Sequence, residues 1–134
     1  MPTVPPSSQI LEGREATRTI LVVDDNRDMV DSLAEVLAML GYSTIPAYSA
    51  REACDLLDDV PKIDLVVSDI RMPDVDGLDL LRVLRHRFRS LPIILMSGFP
   101  VDDDDAVPFG ASILQKPIAM DELQRLVQQK LTPK

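Results

Sequence analysis

The chain has one cysteine, one histidine and no apolar run long enough to cross a bilayer, and each shortage closes off a class of function. Cys54 has no second cysteine with which to form an internal disulfide, which fits a reducing compartment. Its apolar neighbours suit a small core residue better than a nucleophile. His86 has no second histidine with which to share an ion and stands among Arg85, Arg87 and Arg89, so it reads as a solvated surface residue. No window approaches the roughly 20 apolar residues of a spanning helix. The first residues also lack the basic and apolar regions of a signal peptide, so a cytoplasmic protein with no membrane contact is expected. Cations are scarce as well: 14 Lys and Arg against 22 Asp and Glu leave a formal net charge of −8. That balance argues against a nucleic-acid backbone as partner. No internal repeat or heptad array is present.

What is there suits one domain. With 134 residues, 46% of them hydrophobic and 27% charged, the chain can bury one core but not two. Met1 to Arg18 holds Pro2, Pro5, Pro6, Ser7 and Ser8 with little apolar periodicity, which predicts a disordered arm or linker over 1–18 and a folded domain over 19–134. The stretch from Ile63 to Pro73, IDLVVSDIRMP, is the centre of the domain. Leu65, Val66 and Val67 are too few for a helix and rich in β-branched residues, as in a strand buried on both faces of a parallel sheet. Asp69 stands at its carboxyl end, the edge of an open α/β sheet where ligands bind. Taken alone, Asp69 is equally compatible with capping the next turn.

Four more strands are predicted around it. Thr19 to Val23 ends in Asp24-Asp25, and Asn26 then opens a helix whose Val30, Leu33, Leu37 and Leu40 fall at helical spacing before Gly41. Ser43 to Ala47 contains Pro46, which cannot donate to a ladder, so this strand belongs at a sheet edge. Ser49-Ala50-Arg51-Glu52 has the form of a capping box and opens a helix to about Asp58, with Ala53, Leu56 and Leu57 inward. Leu78, Leu81, Val83 and Leu84 predict a helix that frays near Phe88. Pro92 to Met96 is a fourth strand, followed by Ser97. The acidic run Asp102 to Asp105 lies between Pro100 and Pro108 and leaves room for only a short or irregular fourth helix. Ser112 to Gln115 is a fifth strand, closing with Lys116-Pro117. Met120, Leu123, Leu126, Val127 and Leu131 form a last amphipathic helix.

Five β/α units with right-handed crossovers place all strand carboxyl ends on one edge of the sheet. That edge then gathers Asp24 and Asp25, Asp69, Ser97 and Lys116. Turn chemistry alone would scatter such residues over both edges.

The order Asp24-Asp25, Asp69, Ser97, Lys116-Pro117 resembles the receiver domain of two-component response regulators, over about Thr19 to Leu131. The resemblance implies a flavodoxin-like, doubly wound (βα)5 sheet in strand order 2-1-3-4-5, in agreement with the edge position inferred from Pro46. It implies that Asp69 is the phosphoacceptor, taking a phosphoryl group from a sensor histidine kinase, a histidine phosphotransfer protein or a small donor such as acetyl phosphate. Three packed carboxylates repel one another, and a divalent ion resolves the repulsion. Magnesium prefers hard oxygen ligands. Asp25 and Asp69 would hold it directly, Asp24 through water and Arg71 through its main-chain carbonyl, the last by its match to the family position. Lys116 and the Ser97 hydroxyl would meet the phosphoryl oxygens, and the Lys116–Pro117 bond would be cis.

The sequence departs from the family at one switch position. Receivers usually carry Tyr or Phe three residues before the lysine; here that residue is Ile113, which has no ring to swing inward. Together with the short fourth-helix segment it predicts an altered partner surface, with Phe99 and Phe109 the aromatics best placed to substitute for the missing ring. The expected function is a phosphoacceptor switch that alters contacts with a downstream protein, free-standing or part of a hybrid histidine kinase. It would be no enzyme beyond its own phosphorylation and dephosphorylation. The alternative is a receiver-like interaction module that works without phosphorylation. A magnesium-dependent phosphatase with an aspartyl nucleophile fits poorly, because such enzymes resemble one another in an Asp-x-Asp placement and the second position here is Arg71.

Overall fold

In a computed structural model of the chain, described for residues 17–60, 62–70, 77–88, 90–98 and 111–131, five strands form one parallel sheet. They are β1 (Thr19–Val23), β2 (Ser43–Ala47), β3 (Leu65–Asp69), β4 (Ile93–Ser97) and β5 (Ala111–Gln115), ordered β2-β1-β3-β4-β5. Four helices are described: α1 (Arg27–Met39), α2 (Ala50–Asp59), α3 (Gly77–Arg87) and α4 (Met120–Leu131). Residues 1–16 of the predicted arm over 1–18, and the acidic segment between β4 and β5, lie outside the described residues, while Arg18 O accepts from the Ser43 N–H at 2.9 Å.

The flavodoxin-like fold follows from how the strands alternate. Both β3 and β4 are buried along their whole length, because each is paired on two sides and covered on two faces. Leu21, Val23, Val66, Ile93 and Leu95 point to one face, where they pack with Ala53 and Leu57 of α2 and Leu80, Leu81 and Leu84 of α3. Ile20, Val22, Leu65, Val67, Ile94 and Met96 point to the other, against Val30, Leu33 and Leu37 of α1 and Leu123, Val127 and Leu131 of α4. The sheet is therefore wound on both sides, with two of the described helices on each face. Pro46 lies opposite Val22 on the outermost strand, the position its missing N–H requires.

Local signals set the ends of the helices. Asn26 caps α1, its side chain accepting from the Met29 N–H at 3.2 Å. At the other end Gly41 takes φ +103°, with the Gly41 N–H on Ala38 O (3.0 Å) and the Tyr42 N–H on Leu37 O (3.1 Å), the paired bonds of a Schellman motif. Ser49 caps α2 through the Glu52 N–H at 3.0 Å, but the Glu52 carboxylate reaches one residue past the usual box and accepts from the Tyr48 N–H at 2.7 Å.

Three apolar residues depart from their predicted inward positions. Val83 is exposed on α3, where Leu80, Leu81 and Leu84 make the buried stripe; at about 100° per residue, Val83 falls outside that arc. Met120 and Leu40 stand at helix termini, beyond the reach of the core, and are exposed. Cys54 is half-buried and packs against the α2/α3 side of the sheet.

Candidate functional site

The carboxyl edge of the sheet carries the charged groups. Asp24 follows β1 directly; its N–H donates to Ala47 O at 3.1 Å, extending the β1–β2 ladder by one bond, and its side chain is buried. One carboxylate oxygen of Asp24 accepts from the Asn26 N–H at 3.0 Å, which turns the chain from strand into helix. Asp25, between them, is exposed. Asp69 closes β3 beside Met96 of β4 and is nearly buried. Ser97 closes β4 and is fully buried.

Carboxylate oxygens of Asp24, Asp25 and Asp69 lie within 4.8 Å of one another. From the far strand, the Lys116 ammonium reaches over them, 3.3 Å from Asp69 Oδ1 and 3.4 Å from Asp24 Oδ2. The Lys116 N–H donates to Ser97 O at 2.6 Å, and the Lys116–Pro117 peptide is cis. A single ammonium thus faces two of the three acids while the third opens to solvent.

Three hard oxygen donors this close suit a small divalent cation that keeps much of its water shell. Lys116 already offsets part of the repulsion among the acids, so the arrangement suits a cation beside the carboxylates and an anion beside the ammonium. The sequence-predicted residues Asp24, Asp25, Asp69, Ser97 and Lys116 all lie at this one edge. Arg71, Phe99 and Phe109 fall outside the described residues. Ile113 is half-buried, its side chain packed on the α2/α3 side of the core.

Sequence reasoning missed a cluster at the rim. The Tyr48 hydroxyl donates to Asp31 Oδ1 at 2.9 Å, and the Arg27 guanidinium lies over the Tyr48 ring, 4.0 Å from its centroid. Tyr48 thereby ties the loop after β2 to the first turn of α1, just beyond Asp25. Its phenol pKa is raised above 10.0, chiefly because the hydroxyl donates to the Asp31 carboxylate. The strand order predicted from the sequence already puts β2 beside β1, but which side chains meet across that seam depends on their rotamers, which the sequence does not signal.

A doubly wound parallel sheet that brings three aspartates and a lysine to the ends of β1, β3 and β5 defines a flavodoxin-like domain with an acidic, lysine-bridged site. The chain belongs to the response regulator receiver domain family, whose model matches residues 20–128. It is 38% identical over 107 residues to the transcriptional regulatory protein CpxR of Escherichia coli K12, covering 78% of this chain and 45% of CpxR. It is also 38% identical over 128 residues to the response regulator MprA of Mycolicibacterium vanbaalenii, covering 85% of this chain and 52% of MprA. The chain thus spans about half the length of these curated relatives.

Solved structures agree. A response regulator receiver protein from Pseudomonas putida superposes with a TM-score of 0.80 at 34% identity, covering 86% of this chain and 98% of that one. A chain of the CheX–CheY–BeF3–Mg2+ complex from Borrelia burgdorferi is similar at TM-score 0.79 and 25% identity, covering 87% of this chain and 90% of that one. No helix among the described residues is long and apolar enough to cross a membrane.

Proposed function

We propose that this receiver domain is a phosphoacceptor switch in which Asp69 takes a phosphoryl group from a phosphohistidine of a sensor kinase or phosphotransfer protein, or from acetyl phosphate. The observation that carries the reading is Lys116 standing 3.3 Å from Asp69 Oδ1 at the rim of a three-carboxylate cluster. An Asp69 oxygen attacks phosphorus; the P–N bond to the donor imidazole, or the P–O bond to acetate, breaks. The electron pair stays on the leaving group, and an imidazole takes a proton from solvent. The product is an acyl phosphate. Hydrolysis reverses the state: water attacks phosphorus, the bond to Asp69 breaks, and inorganic phosphate leaves. The domain acts on its own aspartate and turns over no other substrate.

Asp25 and Asp69 would hold a magnesium ion directly and Asp24 through water. Bound there, the ion supplies charge neutralisation for the acids and the phosphoryl oxygens. Lys116 is already aimed at the place where the phosphoryl oxygens arrive, and Ser97, one strand over from Asp69, supplies a hydroxyl to them. Two new charge-assisted hydrogen bonds at roughly 1.5–3 kcal/mol each are comparable to the roughly 5.5 kcal/mol that reverses a two-state equilibrium. The changed face then meets a downstream protein in the cytoplasm. The acidic net charge makes DNA an unsuitable partner for this domain itself, whatever output the longer relatives carry.

Incubation with acetyl phosphate and magnesium, followed by mass spectrometry, tests the proposal. The expected result is a phosphoryl adduct that maps to Asp69 and is absent from Asp69→Asn. An unmodified parent chain with acetyl phosphate, and with phosphorylated histidine kinases as donors, would overturn it in favour of an interaction module that works unphosphorylated. Ile113 in place of a mobile ring is the feature that fits that second reading.

A further inference from the structure

Arg27 is the cation next to the acid cluster in sequence, two residues after Asp25, yet among the described residues no carboxylate pairs with it. Its guanidinium is instead stacked on the Tyr48 ring at 4.0 Å. Asp25 is the exposed member of the three acids, and Arg27 is exposed as well. A long, flexible cation beside an exposed carboxylate normally competes for it, and that competition would remove one ligand from a divalent ion.

Three contacts hold the arginine's stacking partner in place. The Tyr48 hydroxyl donates to Asp31, one turn along α1; the Tyr48 N–H donates to Glu52; and the preceding residue, Ala47, accepts the Asp24 N–H. The hydroxyl is thus held by α1, while the backbone at Tyr48 is held by α2 and by the residue that follows β1, and the guanidinium lies over the ring so placed.

We infer that Tyr48 is a positioning residue that holds Arg27 away from Asp25 and so keeps that acid available to the divalent cation. The inference rests on the magnesium reading above and extends it to residues that touch neither the ion nor the phosphoryl group. The ring face is the working part. The hydroxyl serves only to orient it.

The test is magnesium affinity of the unphosphorylated domain, followed by NMR titration of backbone amides, with no phosphodonor present. Tyr48→Leu removes the stacking face and should weaken magnesium binding roughly two- to fivefold, the size of an exposed ion pair, with the gap closing at high ionic strength. Tyr48→Phe keeps the face and should bind nearly as the parent does. Adding Arg27→Ala to Tyr48→Leu should restore parental affinity and should raise affinity more than Arg27→Ala does in the parent, because only the unstacked guanidinium competes for Asp25. The inference is overturned if Tyr48→Leu binds like the parent, if Tyr48→Phe is as weak as Tyr48→Leu, or if the double variant stays weak. A parent that binds no magnesium would instead defeat the metal reading itself.

Discussion

Replacing Lys116 by Gln isolates what one ammonium does for three acids. The stem is nearly kept, while a charge 3.3 Å from Asp69 and 3.4 Å from Asp24 is removed. At an effective dielectric near 20, each contact is worth about 5 kcal/mol of gross attraction, most of it cancelled by desolvation of the groups that make it. The net sits between two bounds. Breaking a buried pair costs about 3–5 kcal/mol, and an exposed pair contributes about 0–1. With the Lys116 side chain 24% exposed and the Asp24 side chain 1% exposed, a loss of about 2 kcal/mol is expected in a chelator. At about 4 °C per kcal/mol for a domain of this size, the midpoint of thermal unfolding falls by about 8 °C. Magnesium should then do more for the variant than for the parent, because the ion takes over a neutralisation the lysine no longer provides and binds without a competing ammonium. Paired urea denaturation curves with and without magnesium, together with magnesium titrations, measure both effects. Equal destabilisation in the two conditions, or weaker magnesium binding by Lys116→Gln than by the parent, would refute the reasoning.

Two further outcomes follow from local geometry. Gly41→Ala meets no atom within 4 Å but forces an L side chain to φ +103°, so it should cost about 1 kcal/mol in urea denaturation; a neutral result would mean that the C-terminal turn of α1 relaxes freely. The Tyr48 phenol ionises above 10.0 because it donates to Asp31, so its contribution to stability is fully present below pH 10.0 and is lost as pH rises through the higher folded value. Ultraviolet titration of the phenolate should show Tyr48 ionising earlier in Asp31→Asn, and an unchanged curve would contradict the hydrogen bond.

Much of the fold was legible because the punctuation was chemical. Gly41 is required where φ turns positive, Ser49 supplies a cap, and Pro46 can sit only where no ladder bond is needed. These rules operate within a few residues and survive without any knowledge of the tertiary structure. Val83, Met120 and Leu40 escaped them. A helical stripe has angular limits and finite ends, and a run of apolar letters shows neither. At the site, the meeting of Asp24, Asp25, Asp69 and Lys116 followed from parallel topology, which sends every strand end to one edge. The division of labour did not. That Asp24 spends one oxygen on the Asn26 N–H and the other on Lys116, leaving Asp25 outward, depends on atomic distances. The Tyr48–Arg27 stack lay further from view: the β2–β1 adjacency was expected, but the meeting of these two side chains across two crossovers depends on their rotamers.

The hydrogen bond from the Lys116 N–H to Ser97 O joins the tips of β4 and β5, so the backbone of the serine and that of the lysine share one ladder bond at the rim of the site. Ile113, two residues before the end of β5, stands on the strand whose tip this bond ties to β4, half-buried against the α2/α3 side of the core.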